Sequence, residues 1–182
     1  MRTFIALDVP VRLRGRIEEI QDGVRGRCRG ARWVGQGGFH VTLKFLGETR
    51  LESVEPVCSA LKGLCGGTAP FAVSLEGLGV FPSVRRPRVL WMGVGVGEDK
   101  VCSLQSGVEA RMEAFGFSRE KRAFSPHLTL ARFRDGGGIE EGALATDFEA
   151  VKFEASEVVF FQSILRPEGA QYVPLGKFPL GG

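Results

Sequence analysis

The chain has 182 residues, 43% hydrophobic and 25% charged, with a formal net charge of +3. That composition excludes a disordered or low-complexity polymer, and a chain of this length buries about 70% of its unfolded surface, enough for one substantial core. The small positive balance accommodates an anionic ligand without demanding one.

The four cysteines, Cys28, Cys58, Cys65 and Cys102, form no CxxC and have no histidine beside them. Reduced core cysteines are therefore expected, and neither a disulfide framework nor a metal site. No apolar run approaches the 18 or so residues of a membrane span, and MRTFIALDVP lacks the shape of a signal peptide. A cytoplasmic protein without a cofactor is the expectation.

Thr3 to Val9 is a compact apolar run that reads as a buried strand. Leu13, Ile17, Ile20 and Val24 then recur at helical spacing between Pro10 and Gly26, with arginines and glutamates on the other face. Arg32 to Val34 reads as a brief strand, GQGG as a turn, and His40 to Leu46 as a strand. Strict alternation puts His40, Thr42 and Lys44 on one face of it, and Val41, Leu43 and Phe45 on the other. Val54, Val57, Leu61 and Leu64 mark a second helix over 51–64, and Phe71 to Leu75 a half-buried strand. Gly77 to Arg88 reads as a loop, Val89 to Val96 as a strand, and Asp99 to Phe115 as a third helix stopped by Gly116. Pro126 begins another strand, and 135–142 reads as a glycine-rich acidic loop. Val158 to Leu165 and Tyr172 to Leu180 complete the set. Strands dominate and connections are short, so the fold class is α+β: mainly antiparallel sheet, outer helices, and a single domain over 1–182.

One phrase occurs twice. His40-Val41-Thr42-Leu43 and His127-Leu128-Thr129-Leu130 contain the only two histidines of the chain. With six threonines in the chain, Thr two places after both histidines is a chance event of roughly 0.1%. On a strand, residues i and i+2 share a face, so each phrase presents an imidazole beside a hydroxyl with apolar residues behind. Two imidazoles suit in-line displacement at phosphorus, one as base for water and one as acid for the leaving alkoxide. The threonine hydroxyls can donate to the non-bridging oxygens where negative charge builds. Lys44 is a further candidate phosphate ligand. Trp33, Phe39 and Phe124 are candidates for stacking a base, and Arg85, Arg86 and Arg88 for contacting a nucleic-acid backbone.

These strings resemble the two-histidine (2H) phosphoesterases, in particular the RNA 2′,3′-cyclic phosphodiesterase branch, historically called 2′-5′ RNA ligase. The matching text is FIALDVP, RWV, FHVTLKFLGE, FPSVRRPRVLW, SPHLTLARF and FQSILRPEGAQYVPL, spread over essentially the whole chain. The resemblance implies two pseudo-symmetric lobes around a central cleft carrying both motifs. It further implies metal-independent hydrolysis of RNA 2′,3′-cyclic phosphate termini to 2′-phosphomonoesters. It makes His40 the proton donor and His127 the proton acceptor, with Thr42, Thr129 and Arg132 holding the phosphate. Strict alternation sets Arg132 opposite His127, so its role requires a bulge in that strand. RNA with a cyclic phosphate end, or a cyclic nucleotide, is the expected partner of a monomer. A non-catalytic RNA-end-binding protein of the same fold and 2′-5′ ligation at the same site are the alternatives.

Overall fold

The computed structural model of the protein describes every residue except Glu168, and Glu141 without its side chain. Among the described residues nine strands form one antiparallel sheet: β1 (Arg2–Asp8), β2 (Cys28–Trp33), β3 (His40–Glu48), β4 (Phe71–Ser83), β5 (Arg86–Val94), β6 (His127–Ile139), β7 (Val151–Ala155), β8 (Glu157–Arg166) and β9 (Gly169–Pro179). Three helices, α1 (Val11–Arg25), α2 (Val54–Gly66) and α3 (Glu98–Glu113), are interleaved with them. The strand order is β7-β4-β5-β6-β3-β1-β8-β9, with β2 lying beside β6 off that path. Counted outwards from the middle, β3-β1-β8-β9 answers β6-β5-β4-β7, and the two histidine strands meet at the centre.

Hydrophobic patterning explains which face is covered. Each helix buries one stripe against the same side of the curled sheet. Ile17, Ile20 and Val24 do so from α1, Val57, Leu61 and Cys65 from α2, and Val101, Leu104, Val108 and Met112 from α3. These join Ile5, Leu7, Val41, Leu90, Met92 and Leu128 in the main core. Across the sheet, Phe4, Ala6, Val159 and Phe161 form a smaller apolar cluster with Tyr172 packed on it. β1 thus has both sides covered, and for that reason reads as a continuous apolar run.

Three stretches differ from the sequence reading. Residues 77–88 are not a loop: β4 runs on to Ser83 and pairs with β5 as a hairpin. Gly77, at φ +64°, supplies the left-handed residue at the bulge between Glu76 and Leu78. Residues 135–139 likewise extend β6, where Gly138 and Ile139 pair with Arg29 and Cys28. β7, too short and weakly apolar to stand out, pairs with the first five residues of β4. Phe115 lies beyond the end of α3 and is exposed.

Candidate active site

The two His-x-Thr phrases open β3 and β6, and these strands touch through one bridge, Val41 opposite Leu128. That register sets His40 across from Thr129 and Thr42 across from His127. The histidines therefore stand on a diagonal, where side-chain origins lie about 7–8 Å apart. Val41, Leu43, Leu128 and Leu130 are buried behind them, and the four polar side chains are half-buried on the other face. The sequence-predicted quartet is brought together.

A bulge at the same place in each strand sets the facing of the residues beyond the quartet. Opposite β1, Ala6 faces Thr42 and Ile5 faces Lys44, so Leu43 is the extra residue. Opposite β5, Trp91 faces Thr129 and Leu90 faces Ala131, so Leu130 is the extra residue. An extra residue exchanges the faces of everything after it. Arg132 accordingly comes onto the His127 face, and its positive charge depresses the pKa of both histidines. The β6 bulge is fixed from behind: the Leu130 carbonyl accepts from the Val34 N–H and from Gln21 Nε2, each at 2.9 Å.

The same geometry corrects Lys44. It turns away from the cleft into the core, where Nζ donates to Glu109 Oε2 at 2.6 Å and to the Ser118 carbonyl at 2.8 Å. Its side chain is 4% exposed. It ties β3 to α3 and does not reach a phosphate. Phe45 occupies the corresponding place on the cleft face, 5.9 Å from Phe4 between ring centroids. The asymmetry between the two half-sites is therefore Phe45 against Arg132 inside the cleft, whereas Lys44 against Ala131 lies on the core side.

The aromatic candidates nearest in sequence are not those in the cleft. Phe39 is fully buried in the main core. Trp33 packs on the helix side, with the Arg25 guanidinium 4.6 Å over its ring. Phe124 lines a polar recess with Gln105 and Glu109 of α3. Around His40 stand instead Phe4 at 4.8 Å, Tyr172 at 5.2 Å edge-on and Phe161 at 5.9 Å. Around His127 stand Phe81, edge-on at 5.1 Å, and Trp91 at 6.1 Å. No spacing on their own strands marked them: pairing across strands brings Phe4 beside His40 and sets Trp91 opposite Thr129. Of the three loop arginines, Arg88 pairs with Asp135, and Arg85 and Arg86 are exposed at the hairpin tip.

The surroundings set the protonation of each imidazole. Burial among aromatics, reinforced by the charges of Arg132 and Arg14, pushes the pKa of His40 down to about 3. Arg14 reaches there from α1, held by both Asp8 carboxylate oxygens at 2.8 and 2.9 Å. His127 is also lowered, chiefly by burial, but the Ser125 carbonyl 2.7 Å from Nδ1 works in the opposite direction. That carbonyl accepts the Nδ1 proton, which leaves Nε2 of the neutral ring as the basic atom. Among the described residues no group of three or more His, Cys, Asp and Glu side chains is placed to hold a metal ion. Among them too, no helix is long and apolar enough to cross a membrane.

A sequence model described as LigT like Phosphoesterase matches residues 7–91 and 94–172. A protein of Aeropyrum pernix named RNA 2′,3′-cyclic phosphodiesterase is 34% identical over 169 residues, covering 88% of this chain and 93% of its own. One of the same name from Aquifex aeolicus is 31% identical, covering 100% of this chain and 98% of its own. Among solved structures, a Thermus thermophilus protein superposes with a TM-score of 0.82 at 29% identity, covering 100% of this chain and 99% of that one. E. coli LigT complexed with 3′-AMP gives 0.76 at 25% identity, covering 98% and 97%.

Proposed function

Since the chain belongs to the LigT-like phosphoesterase family of the 2H superfamily, we propose that it is an RNA 2′,3′-cyclic phosphodiesterase that opens the cyclic end to a 2′-phosphomonoester without a metal. The observation that carries this reading is the diagonal pair of imidazoles with a threonine hydroxyl beside each, set by the Val41–Leu128 bridge. A phosphate seated between them has one imidazole on each side, as in-line displacement requires. Relatives named for this activity over almost their whole length support the substrate class.

In this mechanism the phosphate's non-bridging oxygens accept from the hydroxyls of Thr42 and Thr129 and from the Arg132 guanidinium. His127, with its Nδ1 proton committed to the Ser125 carbonyl, takes a proton from water through Nε2. The water oxygen bonds to phosphorus, and the bond from phosphorus to O3′ breaks. His40 gives its proton to O3′, leaving a 3′-hydroxyl and a 2′-phosphate. The cycle closes when His127 loses a proton and His40 regains one through solvent.

The low pKa of His40 bears on this assignment. Without an anion beside it the ring is neutral at neutral pH and has no proton to give. A bound phosphate reverses the local charge and favours the imidazolium, so the acid is armed by the substrate. The test is digestion of an oligoribonucleotide ending in a 2′,3′-cyclic phosphate, with and without EDTA. Formation of a 2′-phosphate, indifferent to EDTA, is expected. A 3′-phosphate product, or inhibition by EDTA, would overturn the reading.

A further inference from the structure

The quartet accounts for one phosphate, but the positive charge on this face extends further. Arg32 on β2 lies directly opposite Arg132 on β6. Arg134, two residues along β6, is on the same face because Phe133 between them is buried. Arg32 and Arg134 line a groove of about 410 Å³ with Gly30, Ala31 and Pro167. Its floor is bare at Gly30, whose φ of +69° suits glycine and where a side-chain carbon would meet the Gly137 backbone at 3.3 Å.

Like charges directly opposite across a strand pair destabilise the sheet. Ion pairs hold some cations of this chain: Arg14 with Asp8, Arg25 with Asp22, Arg88 with Asp135, Lys177 with Glu157. Among the described residues no carboxylate lies within ion-pair distance of Arg32, Arg132 or Arg134, and Arg32 makes only a 3.5 Å contact with the Pro167 carbonyl. Positive charge with no carboxylate partner among the described residues thus continues from Arg132 along β2 and β6.

We propose that this groove is a subsite for the phosphates upstream of the scissile one in an RNA chain, with Arg32 and Arg134 as their ligands. This rests on the phosphodiesterase reading and extends it. A terminal nucleoside 2′,3′-cyclic phosphate continues only through its O5′, and the phosphate there is the next anion available. At about 3.3 Å per strand residue, Arg134 lies some 13–17 Å along β6 from Thr129, beyond the phosphate that the threonines hold. A mononucleotide has no second phosphate to offer it.

The experiment uses Arg32→Glu, Arg134→Glu and the double variant in two assays. In the first, binding of a fluorescein-labelled single-stranded RNA decamer ending in a 3′-phosphate is followed by anisotropy across a salt series. Each substitution is expected to weaken binding about tenfold, as for loss of a charged hydrogen bond, and to flatten the dependence of log Kd on log salt by about 0.7. In the second, turnover of a 2′,3′-cyclic mononucleotide is expected to stay within about twofold of wild type. Unchanged decamer binding, or an equal loss on decamer and mononucleotide, would overturn the proposal. A wild-type protein that opens no cyclic phosphate would refute the phosphodiesterase reading, while the binding series would still judge the groove.

Discussion

Lys44 is the residue for which sequence and structure give opposite mutational outcomes. Alternation along β3 makes it a phosphate ligand; the bulge makes it half of a buried ion pair with Glu109, the two side chains 4% and 10% exposed. Replacing Lys44 with Met keeps the length of the apolar stem and removes the ammonium. Glu109 then retains only its 3.2 Å bond from Gln105 and is left as a buried carboxylate without a cation. Breaking a buried pair from one side costs about 3–5 kcal/mol, whereas replacing both members with apolar residues is often neutral. At about 2–4 °C per kcal/mol for a chain of this size, Lys44→Met lowers the melting temperature by roughly 6–20 °C. Lys44→Met combined with Glu109→Leu recovers most of that. Thermal denaturation of the four proteins closes the double-mutant cycle, and turnover of a 2′,3′-cyclic nucleotide is measured well below the lowest transition. KM is expected to stay within about threefold of wild type. A Lys44→Met protein of wild-type stability whose KM rises a hundredfold would show that the ammonium serves the substrate, and the bulge argument would fall.

Three further outcomes concern the site itself. His40→Ala and His127→Ala should each lower kcat by about 10²–10⁴, and the double variant should fall little further because the two act in one step; a near-normal rate in either single variant would refute the pairing. The depressed pKa of His40, about 3 against 6.5, means that the unfolded chain binds the proton more readily, so stability present above pH 6.5 is lost as pH falls towards 3. By pH 5 the loss is about 2 kcal/mol, and His40→Phe should flatten the acid limb of a urea-denaturation series by that amount; identical pH profiles would contradict the burial of the ring. Gln21→Leu removes the two side-chain bonds that hold the Val34 and Leu130 carbonyls at the β6 bulge. It should cost about 1–3 kcal/mol and raise KM by moving Arg132, detectable as reduced phosphate inhibition; an unchanged inhibition constant would separate the bulge from the placing of Arg132.

The sequence by itself determined the part of this protein that is local. Period-2 geometry within a strand joins His to Thr and puts Val41, Leu43, Leu128 and Leu130 behind them, and no distant residue is needed to see it. Helical stripes such as Ile17, Ile20 and Val24 are legible for the same reason, since spacing along one segment defines the face. Glycine misled, because in 77–88 and 135–139 it serves left-handed positions inside strands (Gly77 and Gly136) rather than loops. Tertiary structure alone decided everything after the first four residues of each motif. An extra residue at Leu43 and Leu130 exists only relative to the partner strands β1 and β5. It is that relation, absent from the string itself, that sends Lys44 to Glu109 and brings Arg132 to the histidines. The cleft aromatics were hidden in the same way: Phe4, Phe161, Tyr172, Phe81 and Trp91 come from five strands, and only cross-strand pairing carries them to the imidazoles.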